Sequence, residues 1–370
     1  MPTTLWTDDL LDPLRKAGDP LADTAIEEIY ALGQEDQVRA ALIGLGRNEQ
    51  GVPEGLPARL RHYFDVSGVL PPWADAGLIR RGQGLLGRYE GHFASILICG
   101  SLPLAYGCAD GAQVLYRSTR LTGGVFRRLG ETAQFVVDVL GTGGLEADGR
   151  GLRSAQKIRL LHATMRYHLA RDESWDTTWG LPVNQEDLAG TLMSFSVAVP
   201  RGLAKLGVEL PRADRDAYFH LWRVVGHVLG VHDSVNPVEF EDGGALADTI
   251  LRRQQRPSEA GTVLTQDLLE FIHACLPGPL FAGVGPSLIR HLIGDRAADV
   301  VSVPRGDLTQ FALQASSALS FGYGKTGDIV PVLAKASNEL GLAVLRQGLL
   351  LTNKGRRYEW QVPTGLTPTS

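Results

Sequence analysis

Between Lys157 and Leu169 the chain reads Lys-Ile-Arg-Leu-Leu-His-Ala-Thr-Met-Arg-Tyr-His-Leu, without a glycine or proline. Strong helix formers dominate the stretch, and Ile158, Leu161, Met165 and Leu169 recur at helical spacing to make one apolar face. His162 lies on that face. Arg159 is three residues before it and Arg166 four residues after, so each arginine sits one turn away. An imidazole in an apolar wall with a cation on either side suits an axial ligand to haem, the arginines meeting the propionates. The same spacing also describes a core histidine flanked by solvated arginines, and spacing alone favours that plainer reading.

Composition sets limits around this helix. Of 370 residues, 44% are hydrophobic and 21% charged, and the formal net charge is -5, an ordinary globular balance. No basic patch interleaved with aromatics points to nucleic acid. The three cysteines, Cys99, Cys108 and Cys275, form no CxxC pair and no even framework. They argue for a reducing compartment and against structural zinc. The stretch Met1–Asp23 shows no export signal, and no apolar run reaches membrane-spanning length, so a cytoplasmic location is expected. The longest apolar candidate, Phe93 to Leu104, contains Gly100 and Pro103 and reads as a buried helix.

Along the chain the periodicity is helical. Helices are expected over Thr24–Leu45, Pro53–Phe64 and, after the start signal Pro71-Pro72, Trp73–Leu97. Pro103, Gly107 and Gly111 suggest a loop, followed by a helix over Ala112–Arg120. Thr122 caps a further helix to Leu140, with Val125, Leu129, Thr132, Val136 and Leu140 on one face. The glycine-rich segment Gly141–Gly151 then leads into the central helix. Asn184 reads as an N-cap, and later helices are expected over Pro211–Val231, Ala245–Arg253, Thr265–Cys275, Pro286–Ile293 and Pro331–Gln347. Short strands are possible at Val300–Val303 and Tyr358–Val362. The class is mainly α, with an N-terminal helical extension (1–70), a core (71–295) and a C-terminal extension (296–370) packing on it.

Several suggestive motifs fail. Val136 to Glu146 resembles a strand entering a dinucleotide loop, yet the third glycine position falls on Glu146 and no βαβ pattern surrounds it. Gly324-Lys325-Thr326 ends like a P-loop, but Leu319 stands where its first glycine belongs. His162 and His168, and likewise His227 and His232, miss the four-residue spacing of a zinc-binding helix. Glu186-Asp187 reads as helix-start charge rather than a catalytic pair.

Four phrases nevertheless occur in a telling order: Thr122-Gly123 through Arg128-Leu129-Gly130-Glu131-Thr132; Lys157 through Arg166; Asn184-Gln185-Glu186-Asp187-Leu188 with Thr191 and Phe195; and Trp222-Arg223-Val224-Val225-Gly226-His227-Val228-Leu229-Gly230. Over roughly Pro72 to Arg290 the chain resembles the latex-clearing-protein and mycophenolic-acid-oxygenase family. The resemblance implies a globin-like helical core and a b-type haem whose iron is held by the histidine of an Arg-x-x-His-x-x-x-Arg phrase. That makes His162 the metal ligand, with Arg159 and Arg166 stabilising the cofactor. The distal side of rubber oxygenases carries Arg-x-x-Lys-Thr; here the positions are Arg128, Glu131 and Thr132. Glu131 thus replaces a lysine amine that can sit on the sixth iron position, and an open or water-bound distal face follows. This replacement, with the missing export signal, argues against extracellular polymer cleavage.

The resemblance therefore implies a haem b oxygenase for a hydrophobic, alkene-containing small molecule and dioxygen. Arg128 or Thr132 would donate to the bound oxygen and Glu131 would act as acid or base. Arg128 and Glu131, one turn apart, are also placed to pair with each other. A peroxidase-like enzyme, a gas or haem sensor, and a cofactor-free helical interaction protein are the alternatives.

Overall fold

The computed structural model describes residues 5–121, 125–276, 283–305 and 330–348. Helices are α1 Asp8–Leu14, α2 Pro20–Leu32, α3 Glu35–Gly44, α4 Ala58–Ser67, α5 Ala76–Ile96, α6 Leu102–Gly107 and α7 Ala109–Leu121. They continue as α8 Val125–Leu140, α9 Gly151–Leu169, α10 Gln185–Ser196, α11 Ala198–Lys205, α12 Arg212–Val228 and α13 Phe240–Gln254. The last are α14 Glu259–Cys275, α15 Val284–Ile293, α16 Asp295–Val300 and α17 Val330–Ala343. No strand forms among the described residues, and none of their helices is long and apolar enough to cross a membrane. The mainly α expectation is met.

Local chemistry explains where the elements start, and where they depart from expectation. Asp75 caps α5 by accepting from the backbone N–H groups of Gly77 and Leu78, and Asn184 caps α10 by accepting from Asp187. The single helix expected over Thr24–Leu45 is two, because Gly33 adopts a left-handed conformation (φ 62°) that ends α2. The loop expected at Pro103–Gly111 is mostly helix, interrupted at Cys108. Pro103 follows directly on a π-turn and the helix continues through it, so it does not act as a stop. Between α5 and α6 the segment Leu97–Ser101 winds as a π-turn, so Phe93 to Leu104 stays helical throughout. Val300 ends α16 rather than starting a strand. Thr122, Gly324-Lys325-Thr326 and Tyr358–Val362 lie outside the described residues.

Two large apolar clusters organise the packing, with a small third one of Val114, Met165, Leu169 and Trp175 beside the C-terminal part of α9. The larger joins α1, α5 to α8 and α10 to α17 through residues such as Leu11, Phe93, Phe135, Trp222 and Leu333. The smaller joins α2, α3 and α4 through Ile26, Leu42 and Tyr63, and it includes Leu160 and Ala163 of α9. Helix α9 is thus the partition between them: one side faces the N-terminal helices and the other faces the main body.

Candidate active site

On the main-body side of α9 lies a cavity of about 900 Å³, near the upper end of the range usual for ligand pockets. Leu161, His162 and Met165 of α9 form part of its wall, and Arg128, Glu131 and Thr132 of α8 form another. The six residues singled out in the sequence therefore divide. His162, Arg128, Glu131 and Thr132 border the cavity; Arg159 and Arg166 do not.

His162 Nδ1 is buried without a hydrogen-bond partner. Burial pulls the imidazole pKa down to about 4, and the Arg166 charge adds to the effect. The ring is thus neutral near pH 7, the form in which imidazole binds metals. His168 turns the other way. Its Nε2 meets the Tyr30 hydroxyl at 2.7 Å, and its ring packs edge-on against Tyr30.

The two arginines beside His162 are engaged behind it. Arg159 donates from Nε and Nη2 to the two oxygens of Asp19, at 2.6 and 2.8 Å, and from Nη1 to the Val228 carbonyl at 3.1 Å. Burial opposes the Arg159 charge, but the bonds to Asp19 outweigh it and hold its pKa above the ordinary value. Gly230, at φ 78°, lets the pair fit: a Cβ there would come within 2.5 Å of Arg159 Nε. Arg166 donates from Nε to Asp23 at 2.8 Å and from Nη1 to the Val183 carbonyl at 2.7 Å, while its buried Nη2 has no partner. Neither arginine is solvated, as the plainer reading had it. Arg159 has its whole fork committed within the protein, whereas Arg166 keeps one donor in reserve.

On α8 the expected pairing is replaced by another. Glu131 accepts from Arg127 Nε at 2.9 Å, an i,i+4 ion pair, rather than from Arg128. Arg128 reaches across to α7 and α6, donating to the Leu115 carbonyl at 3.1 Å and to the Tyr106 hydroxyl at 3.0 Å. The helical step decides this: Arg127 and Arg128 leave α8 in directions about 100° apart.

Another carboxylate on the cavity wall is Asp187. It follows Glu186, which is wholly buried and bonded to Arg15 (3.1 Å), Arg253 (2.8 Å) and Gln254 (3.1 Å). Sequence reasoning assigned both acids to the helix start. Asp187 does occupy the capping turn, so the local signal was correct; its exposure to the cavity comes from α7 passing alongside, with Gly111 against the carboxylate. Asp19, Asp23 and Tyr106 were missed altogether, since no spacing links them to α9 or α8.

Comparison with known proteins adds the decisive observation. Residues 91–320 match the family model described as ER-bound oxygenase mpaB/B'/Rubber oxygenase, catalytic domain. The chain belongs to this family. A curated member, the rubber oxygenase of Streptomyces sp. (strain K30), is 26% identical over 357 residues, covering 93% of this chain and 85% of the relative. The solved structure of latex clearing protein LCP in the closed state superposes with a TM-score of 0.77 at 24% identity, covering 94% of each chain. Family membership makes this chain an oxygenase, and the likeness of fold extends past the matched domain into both termini.

Proposed function

We propose that this oxygenase works with haem b, held by His162, and acts with dioxygen on a hydrophobic, alkene-containing substrate. The observation that carries the proposal is the His162 ring: neutral, with Nδ1 buried and unpartnered, on the wall of a cavity of about 900 Å³. Among the described residues no group of three His, Cys, Asp or Glu side chains is placed to hold a bare metal ion. A porphyrin iron needs only one protein imidazole, because the macrocycle brings the other ligands. Arg166 does not border the cavity, but its Nη2, buried and without a partner one turn from His162, is the spare donor beside the ligand helix that could meet a propionate. Arg159, its fork committed to Asp19, would instead fix the helix that carries the ligand.

When bound, haem supplies the iron redox chemistry that dioxygen requires. The protein's own contributions are more local. The apolar wall, with Leu161, Met165, Leu129 and Phe135, takes up substrate and excludes water. Arg128, steadied by Tyr106, and Thr132 offer hydrogen-bond donors to an oxygen in the cavity. Glu131, in its ion pair with Arg127, is available to hold a proton at a carboxylate oxygen. Because Glu131 and Arg128 are not joined, the acid–base pair on which a peroxidase-like reading rested is not assembled. Cys99, Cys108 and Cys275 are all free thiols, which supports a cytoplasmic setting.

A pyridine haemochrome assay on protein expressed with ample haem tests the reading. One haem b per chain is expected, lost in His162→Ala and kept in His168→Ala, followed by oxygen consumption with squalene or a synthetic oligoisoprene. A folded, colourless protein that takes up no added haem overturns it.

A further inference from the structure

The carboxylates on the cavity wall differ in what holds them. Glu131 has Arg127 to itself at 2.9 Å. Asp187 receives 2.8 Å from the Asn184 side-chain amide and only a long 3.3 Å contact from Arg15. Arg15 is shared: it also donates to Glu186 at 3.1 Å, to Asp110 at 3.5 Å and to the Trp179 carbonyl. Glu186 collects two further donors, from Arg253 and Gln254. Of the acids in this cluster, Glu186, Asp187 and Asp110, Asp187 is the one on the cavity wall and its single cation contact is the long one from Arg15, so it is the member of the cluster best placed to take up a proton.

The cluster also leads outward. Arg256 binds Asp110 and is 49% exposed, and Arg253 binds Asp8 and Asp12, which are 76% and 67% exposed. Ion pairs thus tie the acids beside the cavity wall at α10 to exposed groups past α7 and α1; the guanidiniums keep their protons, so they hold the carboxylates in place and relay no proton.

We propose that Asp187 is a second carboxyl of the cavity wall, beside Glu131, that acts as a base in the reaction carried out there; this rests on the oxygenase reading of the cavity. The step is a plain proton transfer. An O–H or activated C–H of the cavity ligand loses its proton to an Asp187 oxygen, the bonding pair stays on the ligand, and the neutral carboxyl returns the proton to water. Burial raises the Asp187 pKa to about 6, with Arg15 pulling it down and Glu186 and Asp110 pushing it up. The other titratable group against it, the Cys108 thiol, is driven up to about 12 by burial and the same acids, so it does not compete.

The experiment uses the full chain twice. Infrared-detected titration of the ligand-free protein should show a protonated carboxyl appearing as pH falls through about 6 in the wild type and missing in Asp187→Asn. In oxygen uptake with squalene on haem-loaded protein, the wild-type rate should fall below about pH 6. Asp187→Asn should lose that acid limb and roughly 10²–10⁴-fold of the rate. Asp187→Glu should restore the limb, and Arg15→Gln should move it to higher pH, since the cation holding the pKa down is gone. An unchanged carboxyl band in Asp187→Asn overturns the proposal, as does a haem-loaded Asp187→Asn protein with wild-type rate and limb. If the wild type binds no haem, the haem reading falls, and an unchanged carboxyl band in Asp187→Asn still overturns the proposal.

Discussion

The two sides of helix Gly151–Leu169 are built from the same kinds of residue and end in opposite states. Toward the N-terminal helices, Arg159 is bonded to Asp19, Gln156 to Ser67 and the Phe64 carbonyl, and His168 to Tyr30. On the cavity wall, His162 keeps a buried nitrogen with no partner. Buried polar groups are normally satisfied, so each exception asks for an explanation. The contrast teaches that one helix can be locked from behind while it presents an unmet valence in front. The lock stabilises the chain, and the unmet valence is what a ligand would complete.

The strongest way to break this comparison is from behind. Asp19→Ala leaves the Arg159 guanidinium buried and uncompensated, and should cost about 3–5 kcal/mol in denaturant unfolding. A loss near zero would mean that Arg159 finds water and that the lock is illusory. Arg166→Ala removes bonds to Asp23 and the Val183 carbonyl, each with a charged group and worth about 1.5–3 kcal/mol. It should lower haem retention more than its loss of stability explains, because Nη2 is the spare donor.

The front is tested by acid. With a folded pKa of about 4 against an ordinary 6.5, His162 takes up its proton in the unfolded chain first. Its contribution to stability is therefore present above pH 6.5 and lost as pH falls toward 4. That loss amounts to about 2 kcal/mol by pH 5 in cofactor-free protein. Urea midpoints of wild type and His162→Asn at pH 7 and pH 5 should differ in slope by that amount; parallel behaviour would place the imidazole in water. The smallest effect sharpens the contrast between the two histidines. His168→Phe gives up one bond to Tyr30, roughly 1 kcal/mol, and should leave haem content untouched.

Much of this was legible in the residues alone, in uneven ways. Helical period marked α8, α9 and α10, and the Asn184 cap was readable from its own four residues. Gly33 was not read as a stop, because a left-handed residue inside a helical pattern looks like any tolerated glycine. The phrase ending in Gly230 and the phrase beginning at Asn184 turn out to meet: Gln185 Nε2 donates to the Gly230 carbonyl at 3.0 Å, beside the Arg159–Asp19 pair. Their order along the chain was visible; their contact was not.

What the sequence determined by itself is local: an α class, since the apolar residues recur at helical and not strand period, and a helix that must set His162 on its apolar side. Tertiary structure alone decided the partners. Whether Arg159 meets Asp19 or a ligand, whether Glu131 takes Arg127 or Arg128, and whether Asp187 merely caps a helix or also faces the cavity depend on which helices pass alongside. Hydrogen bonds and ion pairs act over a few ångströms in space, and spacing along one helix says nothing about groups that arrive from another.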